Sequence, residues 1–355
     1  MTEPQSGQKG ISGKNAELSG QESKEKIAMR HPNFRPVYLS PSSVTVAEPI
    51  SPLLEEPVGL EGELLPMPDI LDKDESEPFR YCLNTSTLRG HKLPLNELVD
   101  IAAAAGYESI EPWVDEIEKF AAEGGDLRDL SARIQDLGLT VEGGIGFFEW
   151  MVDDDELRRE GFERARHAMG LLARLGAKRV AAPPFGAQKP EAATVDLFAA
   201  ADRYRELCIV AEEYRVVPLV EVWGFSKNLS RLGAAALIAM ESGHPDAGIL
   251  ADSYHLYKGG SPLSALRALS GDILPLFHIN DYPNIPAETI TDADRVYPGD
   301  GVAPLESLFH SLRQIGFNGV LSLELFNQEY YQQDPLHVAR TGLEKLRSVV
   351  RKSVE

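Results

Sequence analysis

Four residues able to do chemistry sit in or at the end of short apolar runs in the second half of the chain. Glu221 lies near the end of VPLVEVW, Asp252 ends GILAD, His278 is inside LPLFHIN and Glu324 is inside LSLELF. An ion buried alone in an apolar strand costs several kcal/mol, so four polar groups on successive runs imply mutual compensation. Two glutamates, an aspartate and a histidine offer three oxygens and one nitrogen. That donor set suits a hard or borderline divalent cation, Mn2+ first, with Zn2+, Co2+ or Mg2+ as alternatives. Taken singly, each has a plainer reading: an inward carboxylate at Glu221 or Glu324 can pair with an arginine, and a lone strand histidine such as His278 is usually a satisfied core residue. The set of four carries the expectation of a metal site.

Two further groups flank these runs. His255 follows Asp252 by three residues in DSYHLYKGG, and Arg295 opens the end of a long loop, DRVYPGDG, after His278. A neutral imidazole and a guanidinium beside a cation can hydrogen-bond the oxygens of a polyhydroxylated ketone as negative charge develops on them. The plainer alternatives are a surface ion pair of Arg295 with Asp292 or Asp294, and a solvent-facing helix start for His255. Glu111 and Glu142, with Trp113, Trp150 and Trp223, are strand-end candidates for the pocket wall. Of these, Glu111 is expected to touch substrate, and the aromatic residues are assigned to the core.

Elements must bring these residues together. From Phe79 onward, apolar runs at 79–84, 109–113, 139–144, 179–184, 217–223, 248–252, 274–280 and 319–326 alternate with amphipathic stretches. Examples of the latter are Leu95 to Ala105, Asp154 to Leu175, Thr194 to Glu213, Asn228 to Glu241, Leu263 to Leu269 and Pro304 to Ile315, several of them closed by a glycine. Continuous apolar runs separated by helices predict parallel strands covered on their outer face. Eight such units in 277 residues predict an α/β fold, the (β/α)8 TIM barrel, whose active site lies at the carboxyl ends of the strands. An open doubly wound sheet is the other architecture, but the loop after the first run reads NTSTLRGHK and lacks the Gly-rich phosphate turn.

The chain has 355 residues, 35 Lys plus Arg against 55 Asp plus Glu, and a formal net charge of −20. With no basic stripe, a nucleic-acid partner is excluded. No stretch approaches the roughly 20 apolar residues that span a bilayer, and the N-terminus lacks the apolar core of a secretory signal. Cys82 and Cys208 show no metal or disulfide spacing. A reduced, cytoplasmic protein without a membrane partner is expected, and a homo-oligomer is compatible with the composition. Residues 1–78 hold 10 of the 24 prolines and −7 of the net charge. They are expected to form a largely disordered extension or an extended arm, leaving residues 79–355 as the barrel.

The ligand run, the D-x-x-H of Asp252 and His255, and the R-x-x-P-G-x-G of Arg295 to Gly301 resemble the xylose-isomerase-like TIM barrels, a sugar isomerase and epimerase superfamily. Within it, FHINDYPNIPAETITDADRVYPGDG and IGFNGVLSLELFNQEYY are most similar to the 2-keto-myo-inositol (inosose) isomerases. The resemblance implies Glu221, Asp252, His278 and Glu324 as metal ligands on strands five to eight. It implies proton transfer next to a ketone through an enediolate, with Glu221 and Glu324 as the base and acid pair and with His255 and Arg295 orienting hydroxyls. A ketose 3-epimerase and an inosose-type dehydratase would use the same ligands, and a non-enzymatic sugar-binding barrel remains a third alternative.

Overall fold

The computed structural model describes residues 77–354. The extension expected over residues 1–78 therefore lies, but for its last two residues, outside the described residues. Eight strands alternate with helices: β1 Arg80–Asn84, β2 Ser109–Glu111, β3 Thr140–Val141, β4 Arg179–Ala182, β5 Val217–Glu221, β6 Gly248–Asp252, β7 Leu276–Ile279 and β8 Val320–Leu323. The helices are α1 Leu95–Ala105, α2 Val114–Ala122, α3 Leu127–Asp136, α4 Asp155–Arg174, α5 Leu197–Glu212, α6 Leu232–Glu241, α7 Ser253–Lys258, α8 Leu305–Gln314 and α9 Pro335–Lys352. Their ends follow local chemistry. Asp154, Asp196 and Asp334 accept the free N–H groups of the first turns of α4, α5 and α9, and Gly106 closes α1 at φ 93°. The stretch expected to be helical over Leu263 to Leu269 is a 3-10 turn, Leu263–Ala268, too short to bury a helical face.

All strand pairs are parallel, in the order β3-β2-β1-β8-β7-β6-β5-β4. The ends of this sheet meet: the Ala181 N–H of β4 donates to the carbonyl of Gly144, three residues past β3, at 2.9 Å. The sheet therefore closes into a TIM barrel across a thin seam.

Side-chain alternation along the strands sorts the interior into layers. Cys82, Ala181, Leu219, Leu250, Leu276 and Val320 pack together as an apolar plug. Two residues further along their strands come Asn84, Glu221, Asp252, His278 and Ser322, so the polar layer sits directly above the plug. Glu142, a candidate for the pocket, lies instead at the opposite end. It is buried, and it accepts from Arg80 at 2.8 Å, Lys178 at 2.8 Å and Arg179 at 2.9 Å, cations that stand at the amino-terminal ends of β1 and β4. The short β3 brings it to the floor. Trp150 is also fully buried, its indole N–H donating to the Pro183 carbonyl at 2.8 Å.

Candidate active site

At the carboxyl ends of the strands, donor atoms of Asp252, His278 and Glu324 lie within 4.8 Å of one another. Glu221 stands outside that set but lines the same cleft, a space of about 280 Å³ that also borders His255, Arg295 and Glu324. The ends of β5, β6 and β7 and the residue after β8 supply the four groups, and the register pairs Asp252 directly with His278.

His278, Asp252 and Glu324 are each held from behind. His278 Nε2 is 3.0 Å from Glu111 Oε2, and a carboxylate there can only accept, so Nε2 carries a proton and Nδ1 faces the cluster. Glu111 Oε2 also accepts from Asn84 Nδ2 at 3.1 Å and Ser322 Oγ at 2.7 Å. Glu111 is thus buried and hydrogen-bonded to the imidazole, whereas the sequence expectation had it in contact with substrate. Asp252 Oδ1 accepts from the backbone N–H of His255, capping α7, and its Oδ2 accepts from Asn280 at 2.9 Å and Arg295 at 3.0 Å. Glu324 accepts from Asn84 at 3.2 Å and from Arg295 at 2.8 Å.

Arg295 is 1% exposed, which overturns the surface reading. Besides Asp252 and Glu324 it pairs with Asp292, and its guanidinium lies over Tyr254 at 4.4 Å and Phe326 at 5.0 Å. The loop that carries it is tied by Asp281, whose carboxylate accepts four backbone N–H groups: Tyr282 at 2.7 Å, Gly299 at 2.9 Å, Gly301 at 3.1 Å and Ala303 at 2.9 Å. A Cβ at Gly301 would stand 2.2 Å from the Tyr282 carbonyl oxygen and 2.3 Å from Asp281 Oδ1, which is why the loop reads PGDG. His255 is buried, and its Nδ1 accepts the Gly224 N–H at 3.2 Å. Its Nε2 lies 3.2 Å from Arg295 Nη2, which ties the imidazole to the guanidinium.

The charges are strongly perturbed. Burial pushes the Glu221 carboxyl up to about 8, with His278 opposing and Glu324 and Asp252 reinforcing. Burial also disfavours ionised Glu324, but His278 and Arg295 outweigh it and hold this carboxyl below the usual range. For His278, burial resists protonation, while Glu324 and Glu111 more than compensate and raise its pKa. Burial lowers that of His255.

Four buried atoms in this network have no hydrogen-bond partner, Glu111 Oε1, Arg295 Nε, Glu221 Oε2 and His278 Nδ1, and the last two face the carboxylate cluster, Nδ1 standing 3.2 Å from Glu324 Oε2 without hydrogen-bond geometry. Orphaned lone pairs of a carboxylate and an imidazole beside two further carboxylates are what a divalent cation would satisfy. The residues present therefore fit one.

Sequence reasoning did not single out Asn84, Ser322, Asn280 or Asp281 as functional residues. Parity was the available signal for two of them, since Asn84 shares the inward face with Cys82, and Ser322 with Glu324. Trp113 and Trp223 line the cleft with Phe147, Phe225 and Phe326. Consecutive rings from Trp113 through Phe147 and Trp223 to Phe225 lie 5.2 to 5.7 Å apart. These rings come from loops, where no periodicity marks them.

A closed parallel barrel with carboxylates and an imidazole at its carboxyl end is a site class found in sugar-transforming enzymes. Residues 99–349 match the model of the xylose isomerase-like TIM barrels, and the chain belongs to that family. An inosose isomerase of Bacillus velezensis is 30% identical over 278 residues, covering 77% of this chain and 98% of that protein. A fructoselysine 3-epimerase of Escherichia coli O157:H7 is 25% identical, covering 74% and 96%. A crystal structure of the IOLI protein with a zinc atom superposes with a TM-score of 0.72 at 25% identity, covering 77% of this chain and 98% of that one.

Proposed function

We propose that this chain is a divalent-metal-dependent isomerase of polyhydroxylated ketones, with inosose as substrate. The observation that carries the reading is the convergence of Asp252, His278, Glu324 and the orphaned Glu221 Oε2 at the base of a cleft walled by aromatic rings. Glu221, Asp252, His278 and Glu324 would hold the ion, with Mn2+ favoured for three carboxylates and zinc, the ion of the IOLI structure, its competitor. Such an ion supplies Lewis-acid stabilisation of the charge that develops when a C–H beside a ketone is deprotonated.

The protein's own groups do the rest. Arg295 and His255, tied to each other in the buried cleft wall, would orient the substrate oxygens there. Glu221 and Glu324 take the proton from one carbon and deliver one to its neighbour, giving the enediolate and then the isomeric ketone. Glu111 fixes the tautomer of His278 and does not contact substrate. The aromatic wall offers flat apolar faces to the C–H faces of a six-membered ring. Delivery of the proton to the opposite face of the same carbon would instead give an epimer, a second reading favoured by the likeness to fructoselysine 3-epimerase. Both cysteines are free and buried, and no helix among the described residues is long and apolar enough to cross a membrane.

Proton exchange followed by NMR in D2O, across a panel of inososes and free ketoses, tests the proposal by naming the carbon that loses its proton. Inosose should exchange at the hydroxyl-bearing carbon adjacent to the ketone, chelation should abolish exchange reversibly, and Glu324→Gln should lower turnover about 1,000-fold with the fold intact. Full activity of metal-free enzyme, or an inert inosose beside an exchanging ketose, would overturn it.

A further inference from the structure

The outer face of α5 carries a stripe that its own barrel leaves unused. Phe198, Asp202, Arg205 and Ile209 follow one another at spacings of four, three and four residues, so they share one side of the helix. All four are exposed, Phe198 at 58% and Ile209 at 51%. On the other flank of α5, Arg203 is held by Asp153 and the Met151 carbonyl. Asp202 and Arg205 stand three residues apart yet do not pair, and neither has another ion-pair partner among the described residues.

The next helix in the ring extends this surface. α6 reads LGAAALIAME and is apolar on every side until its last residue. A helix of that kind is ordinarily covered all round, but Met240 is 67% exposed and a Cβ at Gly233 would meet nothing within 4 Å. Arg205 leans toward this neighbour, its Nη1 lying 3.9 Å from where a Cβ of Gly243, just beyond α6, would stand. The stripe is therefore on the α6 side of α5, and the two helices share one apolar patch with an unpaired anion and cation inside it.

The order of the stripe identifies what covers it. The midpoint of Phe198 and Ile209 and the midpoint of Asp202 and Arg205 coincide, between Arg203 and Tyr204. Two copies of α5 laid antiparallel about a two-fold axis through that point would set Phe198 against the partner's Ile209 and Asp202 against the partner's Arg205, each contact made twice. The four-three-four spacing is that of helices packed at a shallow left-handed crossing. A parallel pairing would instead set like charge against like, and a lipid surface would strip water from both charges without offering either an opposite one. We propose that the α5–α6 face is a two-fold homodimer interface, with Asp202 paired to the partner's Arg205 on both sides of the axis. A patch of two short helices is at the small end of specific interfaces, so association falls in the micromolar range. None of these residues lines the cleft, and the inference is independent of the reaction proposed above.

Sedimentation velocity of the full chain from about 1 to 100 μM should show a monomer–dimer equilibrium. Asp202→Arg sets Arg against Arg in both central layers and Arg205→Asp sets Asp against Asp, so each should raise the dissociation constant about tenfold or more. The double variant Asp202→Arg/Arg205→Asp puts opposite charges back across the axis and should recover the wild-type value to within about twofold, which a merely misfolded helix could not do. Phe198→Cys and Ile209→Cys chains should form a disulfide-linked dimer on mixing and not separately. A chain that stays monomeric throughout the range, including one that floats with phosphatidylcholine vesicles, overturns the proposal. A dimer indifferent to the single reversals overturns it as well, and loss of the dimer in both single variants without recovery in the double variant refutes the antiparallel pairing.

Discussion

Replacing Asp281 by Asn tests whether one carboxylate holds the loop that delivers Arg295. Asp281 Oδ2 accepts from Gly299 and Gly301, and its Oδ1 from Tyr282 and Ala303. An asparagine keeps one oxygen and turns the other into an NH2 group, so whichever way the amide sits, one pair of N–H donors faces another donor. Two hydrogen bonds to a charged acceptor are lost, each worth about 1.5–3 kcal/mol, which gives ~3–6 kcal/mol against the ordered loop. That is less than the stability of a typical domain, so the loop opens while the barrel stays folded. Amide exchange at Gly299 to Ala303, read by mass spectrometry, should accelerate by about 100-fold or more, since each ~1.4 kcal/mol is a factor of ten. Strand amides in β5 to β8 should not change. If Arg295 depends on this loop for its place between Asp252 and Glu324, kcat/KM should fall with it. Wild-type protection in the loop of Asp281→Asn would refute the reasoning, because it would show that the antiparallel bridge between Asp281 and Val296 suffices alone.

Two further outcomes are expected. Glu111→Gln removes the charge behind His278 while keeping an acceptor, and should weaken metal binding by 10–100-fold in calorimetric titration of the metal-free protein; an unchanged affinity would show that Asn84 and Ser322 fix the imidazole without it. At the barrel floor, burial works against the ionised form of Glu142, but Lys178 and Arg80 prevail and hold it down at about 2. A depressed carboxyl stabilises the fold above its unfolded pKa near 4.5 and loses that contribution as pH falls toward 2. Glu142→Gln should therefore cost about 2 kcal/mol at neutral pH, less than the full shift implies because Arg80 and Lys178 are partly exposed. Its thermal midpoint should fall less steeply than wild type between pH 4.5 and 2, and parallel curves in that window would contradict the assignment.

The barrel was readable because its signals repeat. Gly248–Asp252 begins and ends where the apolar run does, and Leu95–Ala105 ends at its glycine. Other runs overreach: 139–144 shrinks to the two-residue β3, because Gly143 and Gly144 bring the backbone close to Glu111 and Leu172 instead of extending a ladder. Among site residues, those charged within apolar surroundings stood out, since burial of Glu221 or His278 demands an explanation. Glu111 shows the limit. Its position at a strand end was visible, but whether it faced the cleft or the back of an imidazole depended on the tilt of β2 against β7, which no local pattern encodes. The same holds for Glu142, whose partners come from β1 and β4. Phe147, Phe225 and Phe326 sit on loops whose paths are set by packing between distant elements.

The seam between β3 and β4 has a consequence for how such a barrel diversifies. The groups around the proposed ion all stand on β5 to β8, where every neighbouring pair forms a full parallel ladder. On the far side the Ala181 to Gly144 backbone bond joins the sheet, backed by the side-chain bonds of Lys178 and Arg179 to Glu142, and the wall residues Ile145 and Phe147 follow directly after it. Insertions and substitutions can thus accumulate beside the seam, reshaping which molecules enter, while the reactive half keeps its register. One half of the barrel can be inherited almost unchanged as the other explores new substrates.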